Sequence, residues 1–449
     1  MTIPSFTGYQ TALSGLEAAQ AAIDTTGENI SNANTAGYTR QVVNTAESSS
    51  LQIPQLSVQG ASADLGTGVD ITSISRIRNQ FLDTQYRAQN SQTSAANTNS
   101  SALQQAQTAL SDSPTSGVAS EMDGFYSDWS ALASDPTSSS AQQQVVSDGQ
   151  TLVSTLNSTY QQIQTVQSQA ATQLSQLTGA NGQVSQDVSQ IATLNGQIIT
   201  ATQAGQSPND LLDQRDNLLD SLSGLAQISV TADSNNDGGV VVALANAPTT
   251  PLVSGSTSNW PQTVSASTGG QLGALAGLAD TSSAGTLSPY LASLQQVATN
   301  LTTGVNAQQP SSPFFSGTLG GTGTAGTSTG PLQVTATAST IQTSSSSTSG
   351  PDLAQAIGNL TGGTADQSYA GFVAQIGGGV QAAESTQTTA AAVLTAVSNQ
   401  RQSVSGVSLD EEMTNLINFQ QSYEASARVM NAIDTTLNDL ITTVGSAGT

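Results

Sequence analysis

Three aspartates spaced three residues apart are the residues of this chain most suited to chemistry. They are Asp210, Asp213 and Asp216 in the stretch NDLLDQRD, where Arg215 precedes the last of them. Neighbouring carboxylates can bind a metal ion or act as a general acid and base. Acids are also common in the first turn of a helix, where they stabilise its positively polarised end. We favour this second interpretation, in which Arg215 forms an ion pair across an interface.

A second group of oxygen-bearing side chains matches the first half of a calcium-binding loop. Asp233, Asn235 and Asp237 are followed by Gly238, but the twelfth position of the pattern carries Leu244 in place of a bidentate glutamate. The flanking stretches QISVT and VVVAL have the β-branched residues of strands. The sequence therefore predicts the turn of a β-hairpin at this point.

The composition leaves few other routes to catalysis. The 449 residues include no cysteine, no histidine and no lysine. Thiol nucleophiles, Cys/His zinc sites, lysine Schiff bases and the usual general base are therefore excluded. A hydrolase that works with carboxylates alone is the remaining enzymatic alternative, and no convincing site supports it. We expect a protein that is not an enzyme and that binds no cofactor and no metal.

Charge and hydropathy exclude two classes of partner. Thirty acidic residues against seven arginines give a net charge of −23, so nucleic acid and anionic membranes would repel the chain. The sequence contains no run of about 18 apolar residues, which predicts that it has no membrane span. The first residues, MTIPSFTGYQ, lack the basic and apolar regions of a secretory signal peptide.

Both ends of the chain carry the heptad pattern of helices that pair with one another. Alternating steps of three and four predict one helix over 5–30 and another over 408–444. The stretch SLDE at 408–411 has the form of a capping box, with Ser408 as N-cap and Glu411 returning to its backbone N–H. The first stripe consists of Phe6, Tyr9, Leu13, Leu16, Gln20, Ile23, Gly27 and Ile30, and the second of Leu409, Met413, Leu416, Gln420, Tyr423, Ala427, Met430, Asp434, Leu437, Ile441 and Val444, widened by Phe419.

Between these ends, helical patterns give way to a β-rich segment. A short apolar stripe lies over 118–132, and a longer helical pattern over 145–198 would span about 80 Å if it passed unbroken through TGANG at 178–182. From residue 226, strand-like stretches and Gly/Ser/Thr-rich tracts such as 316–330 predict β-structure with loose loops.

The predicted fold is mainly α with a β-rich insert, in which paired coiled-coil-like terminal helices adjoin a long helical rod and an outer β domain. The four segments are 1–74 with the N-terminal helix and its following loop, 75–225 with the rod, 226–365 with the insert, and 366–449 with the C-terminal helices.

The stretch ENISNANTAGYTRQ predicts a shaped corner at the end of the first helix. Asn32 and Asn34 tolerate left-handed backbone and bond locally to the main chain, and Gly37 permits a positive φ angle. Tyr38 supplies an aromatic ring that could anchor the chain as it leaves the helix. These residues predict that the helix ends with a fixed exit direction.

Three stretches together resemble a known family. NISNANTAGYTRQ resembles the N-terminal signature of the axial proteins of the bacterial flagellum, which are the rod, hook and hook-associated proteins. NDLLDQRDNLLDSLSGL at 209–225 and SGVSLDEEMTNLINFQQSYEASARVMNAIDTTLNDLI at 405–441 are most similar to the members at the hook–filament junction. The resemblance covers roughly 1–230 and 370–449, with a fainter match at 269–315, where the family usually has a histidine near the position of Gln308.

The resemblance implies a structural, extracellular protein that is exported unfolded through the flagellar type III apparatus. It implies self-association in a tubular ring, contacts with the hook protein and with the second hook-associated junction protein, and an export chaperone. The implied assembly motif is Asn29, Asn32, Asn34, Thr35, Gly37 and Tyr38, and the implied subunit-packing residues are Leu13, Leu16, Ile23, Ile30, Leu416, Phe419, Tyr423, Met430 and Leu437.

Two alternatives remain at this stage. Within the family, a hook- or rod-type axial protein is the closer one, and the stretch NDLLDQRD argues against it. Outside the family, a secreted adhesin or a surface-layer-like binding protein would share the Ser/Thr/Gly-rich composition. Such a protein would have no need for matched heptad helices at its two ends.

Overall fold

The computed structural model describes residues 7–53, 63–108, 110, 117–235, 237–344 and 352–446. Its helices are α1 Thr7–Asn32, α2 Gln80–Thr108, α3 Val118–Ser134, α4 Ser139–Thr178, α5 Gln183–Gln203, α6 Asn209–Leu225, α7 Gly270–Ala279, α8 Ser288–Ala307, α9 Asp352–Gly358, α10 Thr364–Ser405 and α11 Leu409–Ser446. Its strands are β1 Gln41–Glu47, β2 Leu51–Ile53, β3 Ala63–Leu65, β4 Val69–Arg76, β5 Ile228–Ala232, β6 Val240–Leu244, β7 Pro251–Ser254, β8 Thr257–Ser258, β9 Phe315–Ser316 and β10 Gln333–Val334. The mainly α fold predicted from the sequence is confirmed.

The larger hydrophobic core lies where α3 and α4 pack with α8, α9 and α10. The predicted stripe of α3 forms its centre, since Met122, Phe125, Trp129 and Leu132 are almost completely buried. The ring of Phe125 lies 6.2 Å from that of Trp129 and 5.4 Å from that of Phe314, which comes from the loop after α8. Aromatic burial therefore joins distant parts of the chain into one core.

The long helical pattern over 145–198, whose continuity the sequence left open, is interrupted at TGANG. The chain ends α4 at Thr178 and begins α5 at Gln183. Gly182 N–H donates to Gly179 O at 2.9 Å, and a Cβ built on Gly182 would collide with the carbonyl of Leu177. A glycine is needed at this turn. Helix α4 alone has 40 residues, about 60 Å in length.

A smaller core lies between α5, α6, α7 and a four-stranded antiparallel sheet. The predicted hairpin is confirmed, because β5 and β6 pair from Ile228↔Leu244 to Ala232↔Val240. In its turn Asp233 N–H donates to Gly239 O at 3.0 Å, and Asp237 Oδ1 accepts from Gly239 N–H at 3.2 Å. Within 226–365, the strands are concentrated in 228–258, and α7 and α8 pack against α4.

The Gly/Thr-rich tract 316–330 is folded, so the expectation of a loose loop is wrong for it. Positive φ angles at Gly317 and Gly320 turn the chain back on itself, and Thr318 N–H donates to Gly330 O at 2.9 Å. Leu319 is 2% exposed and anchors the tract beside Tyr160 of α4. Backbone hydrogen bonds and one apolar anchor offset the entropy of ordering the tract. The second tract, TSSSSTSG, lies mostly outside the described residues.

The two terminal helices pair, as the heptads predicted, and their orientation is antiparallel. Gly8 lies against Ile433, Gly15 against Ser426, and Asn29 against Glu412. Each step of seven residues along α1 is thus matched by a step of seven backwards along α11. The helices of the described residues include none that is long and apolar enough to cross a membrane.

The face that α1 buries is displaced by about one residue from the predicted stripe. Its fully buried positions are small or polar, namely Ala12, Ala19, Ala22, Thr25, Thr26 and Asn29. The predicted residues Leu13, Leu16, Ile23 and Ile30 are only half-buried. Small residues let the helix axes approach closely, which places the bulky side chains at the edge of the contact.

On α11, the predicted stripe is divided between two environments. Leu416, Phe419, Tyr423, Met430 and Leu437 are half-buried on the side near α1. Leu409, Met413 and Ile441 remain 50%, 50% and 59% exposed. The single chain therefore covers only part of the apolar surface of its terminal helices.

We expect Trp129→Ala to lower the free energy of unfolding by about 3–5 kcal/mol, because it empties the centre of the larger core. Trp129→Phe should cost less than about 1.5 kcal/mol, since it keeps an aromatic ring and removes a buried indole N–H that has no hydrogen-bond partner among the described residues. Urea unfolding followed by circular dichroism measures both. Equal losses in the two variants would contradict this account of the core.

Candidate functional site

The amide of Asn29 is the centre of the corner, which we define as residues 29–41. It is 1% exposed. Its Nδ2 donates to Gln41 O at 2.9 Å and to Glu412 Oε2 at 3.0 Å, and its Oδ1 accepts from Gln41 N–H at 2.9 Å and from the Tyr38 hydroxyl at 2.8 Å. All four hydrogen-bonding positions of the amide are filled. One side chain thus joins the end of α1, the start of β1 and the start of α11.

The turn between Asn29 and Gln41 has the positive φ angle that the sequence predicted for Gly37. Thr35 N–H donates to Asn32 O at 2.9 Å and Tyr38 N–H to Thr35 O at 3.2 Å. Gly37 has a φ of 80°, in the region that glycine adopts without strain. Asn34 is exposed and lines a polar cleft of about 240 Å³ together with Arg78, Asn217 and Arg401.

Arg40 ties the corner to the first turn of α11. Its Nη2 lies 2.7 Å from Glu411 Oε1. Its Nε lies 2.8 Å from Glu412 Oε1; these two atoms form an ion pair without the geometry of a hydrogen bond. Its backbone N–H donates to Ser405 O at 3.0 Å. The predicted capping box is wrong. The Glu411 side chain pairs with Arg40, and among the described residues it makes no hydrogen bond to the backbone N–H of Ser408. The salt bridge to another element takes its place.

Asp213 and Asp216 of α6 are the acceptors of a buried arginine cluster. Asp216 Oδ2 accepts from Arg76 Nη1 at 2.9 Å and lies 3.0 Å from Arg78 Nη1, while its Oδ1 accepts from Arg87 Nη2 at 3.1 Å. Asp213 accepts from Arg76 Nη1 at 2.5 Å and, through its other oxygen, from the backbone N–H of Thr39 in the corner at 3.0 Å. These two carboxylates therefore join α6 to β4, to α2 and to the corner.

The same cluster extends to α10 through Asp220. Asp220 accepts from Arg87 Nε at 2.9 Å and from Arg401 Nη1 at 2.5 Å. Arg401 also lies 3.8 Å above the ring of Tyr86, a cation–π contact. Asp83 completes the cluster by accepting from Arg78 Nη2 at 2.7 Å. Four arginines and four aspartates balance one another where five segments of the chain meet.

The interpretation of NDLLDQRD as an ordinary helix start was incomplete. Its acids reach across to arginines of other elements instead of only stabilising their own first turn. Arg215 forms no ion pair with a carboxylate among the described residues. Its Nη1 donates to Asn195 Oδ1 and to Gly238 O, both at 2.8 Å. Because Arg215 precedes Asp216, it leaves α6 on another face, towards the β5–β6 turn.

Burial and charge shift the pKa values in this site. Burial alone would raise the pKa of Asp216, but Arg78, Arg76 and Arg87 outweigh that effect and hold the pKa below its ordinary value. Burial lowers the pKa of Arg215 to about 10, so it remains charged at neutral pH. Burial, with a smaller effect of Glu28, raises the pKa of the Tyr38 hydroxyl, which therefore stays protonated and donates to Asn29.

The arrangement is that of a structural joint. Asp213, Asp216 and Asp220 are held by arginines, so none of them presents a free carboxylate to a substrate. The described residues contain no cluster of acidic side chains arranged to hold a metal ion. Buried charges that are fully paired fix the relative positions of the segments that carry them. The joint fixes the direction in which the terminal helix pair leaves the helical domain.

Sequence reasoning missed most of the cluster, namely Arg76, Arg78, Arg87, Arg401, Asp83 and Asp220. One signal could have found them. The chain has only seven arginines, and three of them, Arg76, Arg78 and Arg87, lie close together in sequence before and within the start of α2. Which acid each arginine meets depends on the packing of α2, α6 and α10.

Comparison with family models gives three matches along the chain. Residues 103–322 match the model described as flagellar hook-associated protein FlgK helical domain. Residues 10–39 match the flagella basal body rod protein model, and residues 398–443 match the C-terminal model of the flagellar basal body rod FlgEFG proteins. The two terminal matches cover most of α1 and most of α11. The match over 103–322 contains Asp213, Asp216 and Asp220, three of the four aspartates of the arginine cluster.

Curated relatives carry one and the same description. The chain is 29% identical to flagellar hook-associated protein 1 of Bacillus subtilis in an alignment that covers 99% of both proteins. It is 27% identical to the protein of that name from Salmonella typhimurium, over 55% of this chain and 42% of the relative. A solved structure of the flagellar hook junction protein FlgK from Burkholderia pseudomallei aligns with 51% of this chain and 44% of its own, at 29% identity and a TM-score of 0.44.

We expect Asp216→Asn to lower the free energy of unfolding at pH 7 by about 3–5 kcal/mol, because three buried guanidinium groups lose their shared charge partner. The folded-state pKa of Asp216 lies below the unfolded value of about 4, so its stabilisation is present above that pH and is lost as the pH falls further. The difference between variant and wild type should therefore shrink at pH 3. Asp210→Asn, at an exposed position of the same helix, is the control and should stay within about 0.5 kcal/mol. Similar losses in both variants at pH 7 would contradict the role of the cluster.

Proposed function

Because the chain belongs to the family of flagellar hook-associated protein 1, we propose that it is a structural axial protein that forms the junction between hook and filament. The observation that carries the proposal is an alignment over essentially the full length of a curated junction protein. The shape of the molecule supports it. Two terminal helices form an antiparallel pair, and a buried joint holds that pair against a long helical domain.

Self-association in a tubular ring is supported by the surface of the terminal helices. The bulky side chains of α1 and α11 stay half-buried or exposed in the single chain, among them Ile23, Ile30 and Met413. Neighbouring copies in a tube make head-to-tail contacts, in which one face of each copy covers a different face of the next. Such contacts would complete the burial that one chain leaves unfinished. The hook protein would adjoin this ring on one side and the second hook-associated junction protein on the other.

The assembly motif acts in this proposal through its geometry. Asn29 links α1 to α11 and accepts from the Tyr38 hydroxyl, and Thr39 reaches Asp213 in the arginine cluster. A fixed angle between the inner helices and the helical domain is what a ring of identical subunits requires. The protein would act by its shape and by its contacts, without catalysis.

Export through the flagellar type III apparatus with a chaperone fits the exposed apolar residues of α11. Leu409, Met413 and Ile441 would promote aggregation if the free chain kept them in water. A chaperone that covers this helix until assembly would prevent it. The protein would then reside outside the cell, at the hook–filament junction.

The terminal family matches support a hook- or rod-type protein as the alternative, since residues 10–39 and 398–443 match rod-protein models. The central match over 103–322 to a hook-associated helical domain favours the junction. No feature of the described structure favours an adhesin.

Deletion of the gene should leave cells with hooks but without filaments, and flagellin should appear unassembled in the medium. The reason is that filament subunits would lack the surface on which they begin to assemble. Electron microscopy of the cells and immunoblotting of the medium measure the two effects. A strain complemented with the wild-type gene is the control. Normal filaments in the deletion strain would overturn the junction assignment, and cells without hooks would favour the rod-type alternative.

Gly37→Val should prevent filament attachment while secretion of the protein continues. The substituted residue must hold a positive φ at a cost of about 1–2 kcal/mol, and its side chain must displace the amide of Asn217. The amide can rotate away, but the backbone strain remains and tilts the corner. Ala36→Val, at the exposed neighbouring position, introduces the same valine side chain without that strain and should leave filaments intact. Filament counts per cell and immunoblots of the medium test both variants, and normal filaments with Gly37→Val would return the corner to an ordinary surface turn.

A further inference from the structure

Arg428 differs from the other six arginines in its environment. Arg40, Arg76, Arg78, Arg87 and Arg401 form ion pairs that are at least partly buried, and Arg215 is buried against Asn195 and Gly238. The side chain of Arg428 is 81% exposed, and its nearest acid is Glu424 of the same helix, 3.5 Å away and 66% exposed. An exposed pair of this kind contributes little. The most accessible cation of the seven is thus available to a partner.

Arg428 points away from its own α1. Ser426 faces α1, and Met430 lies half-buried on the same side, each two residues from Arg428. Two residues correspond to a rotation of about 200° around a helix. The outward row that contains Arg428 carries no acid and consists of Thr414, Gln421, Arg428, Thr435 and Thr442, all exposed.

The outward row of α1 has the opposite charge. Gly15 faces α11 and Ala19 is buried, while Glu17 between them is exposed; Asp24 stands in the same relation to Ala22 and Thr26. The row consists of Gln10, Glu17, Asp24 and Ser31, all exposed. Helix α1 has no basic residue anywhere. Asp24 accepts from Gln20 Nε2 at 2.8 Å, and neither Glu17 nor Asp24 forms an ion pair among the described residues.

We propose that Arg428 of one copy forms an ion pair with the acidic row of α1, at Glu17 or Asp24, of a second copy of this chain. The proposal rests on the self-association put forward above and names the contact that makes it directional. Copies with a net charge of −23 repel one another, so a contact that places the accessible cation of one against the acids of the next selects one arrangement. The contact joins different faces of the two copies, as a ring requires.

The pairing also sets how far neighbouring copies are displaced along the tube. The register of the α1–α11 pair places Arg428 level with Leu13 of its own chain. Contact with Glu17 of the next copy would require a displacement of about 6 Å, and contact with Asp24 one of about 17 Å, at 1.5 Å per residue.

Cysteine cross-linking tests the contact on a clean background, because the chain has no cysteine of its own. Arg428→Cys is combined with Glu17→Cys or with Asp24→Cys in a complemented deletion strain, and isolated hook–filament structures are oxidised and run on non-reducing gels. We expect one of the two pairs to give a ladder of covalent multimers. Arg428→Cys alone, and Arg428→Cys with Asp123→Cys on the remote α3, are controls that should give none.

Three results would overturn the proposal. No multimers with either pair, when immunoblots show the protein in the isolated structures, would exclude the contact while leaving the junction function intact. Dimers from Arg428→Cys alone would show a symmetric contact instead. Absence of the wild-type protein from the isolated structures would refute the proposed function itself, and this inference with it.

Charge exchange gives an independent measurement. Arg428→Glu should reduce the number of filaments per cell by about two- to fivefold, the effect of losing one exposed ion pair. Glu17→Arg or Asp24→Arg, whichever position cross-links, should restore the count in the double variant. If Glu424→Arg restores the filament count of Arg428→Glu without any change in α1, the ion pair within α11 is the one required, and a contact between copies is contradicted.

Discussion

The carboxylate of Asp216, shared by three arginines in the interior, is the interaction on which the rest of the structure depends. A buried charge is tolerated only when it is paired, and removing one partner leaves the others uncompensated. Arg76 and Arg78 come from the end of β4 and the loop after it, and Arg87 comes from α2. These segments can pack on α6 only in the arrangement that satisfies Asp216. Electrostatic pairing in place of apolar burial therefore specifies how the elements meet at this joint.

The joint also fixes the position of the terminal helices. Asp213 holds the backbone of Thr39, and Asn29 holds Gln41 and Glu412, so the corner is fixed from both sides. Through these contacts the antiparallel pair of α1 and α11 has a defined direction relative to the helical domain. A subunit of a tubular ring needs this property, because a small change in angle is repeated in every copy.

The packing of the terminal helices suits a chain whose folding is completed by its neighbours. Among the small residues of α1, Gly15 lies against α11, and Ala19 is buried. The larger ones, such as Leu16 and Ile23, stay at the edge of the contact. A monomer designed to be stable alone would place its larger side chains in the seam. This division leaves apolar surface that neighbouring copies can cover, as both the family assignment and the proposed assembly require.

The sequence by itself determined the two terminal helices and their pairing, the apolar stripe of α3, the β5–β6 hairpin and the positive φ of Gly37. All of these follow from local propensity and from the period of apolar residues. The folding of 316–330 and the partners of each arginine were decided only by the tertiary structure. The seven arginines could have paired with any of thirty acids, and local rules do not rank those choices. Only the packing of α2, α6 and α10 brings Arg87, Arg401 and Asp220 within reach of one another, because residues more than a hundred positions apart meet where burial makes an unpaired charge too costly.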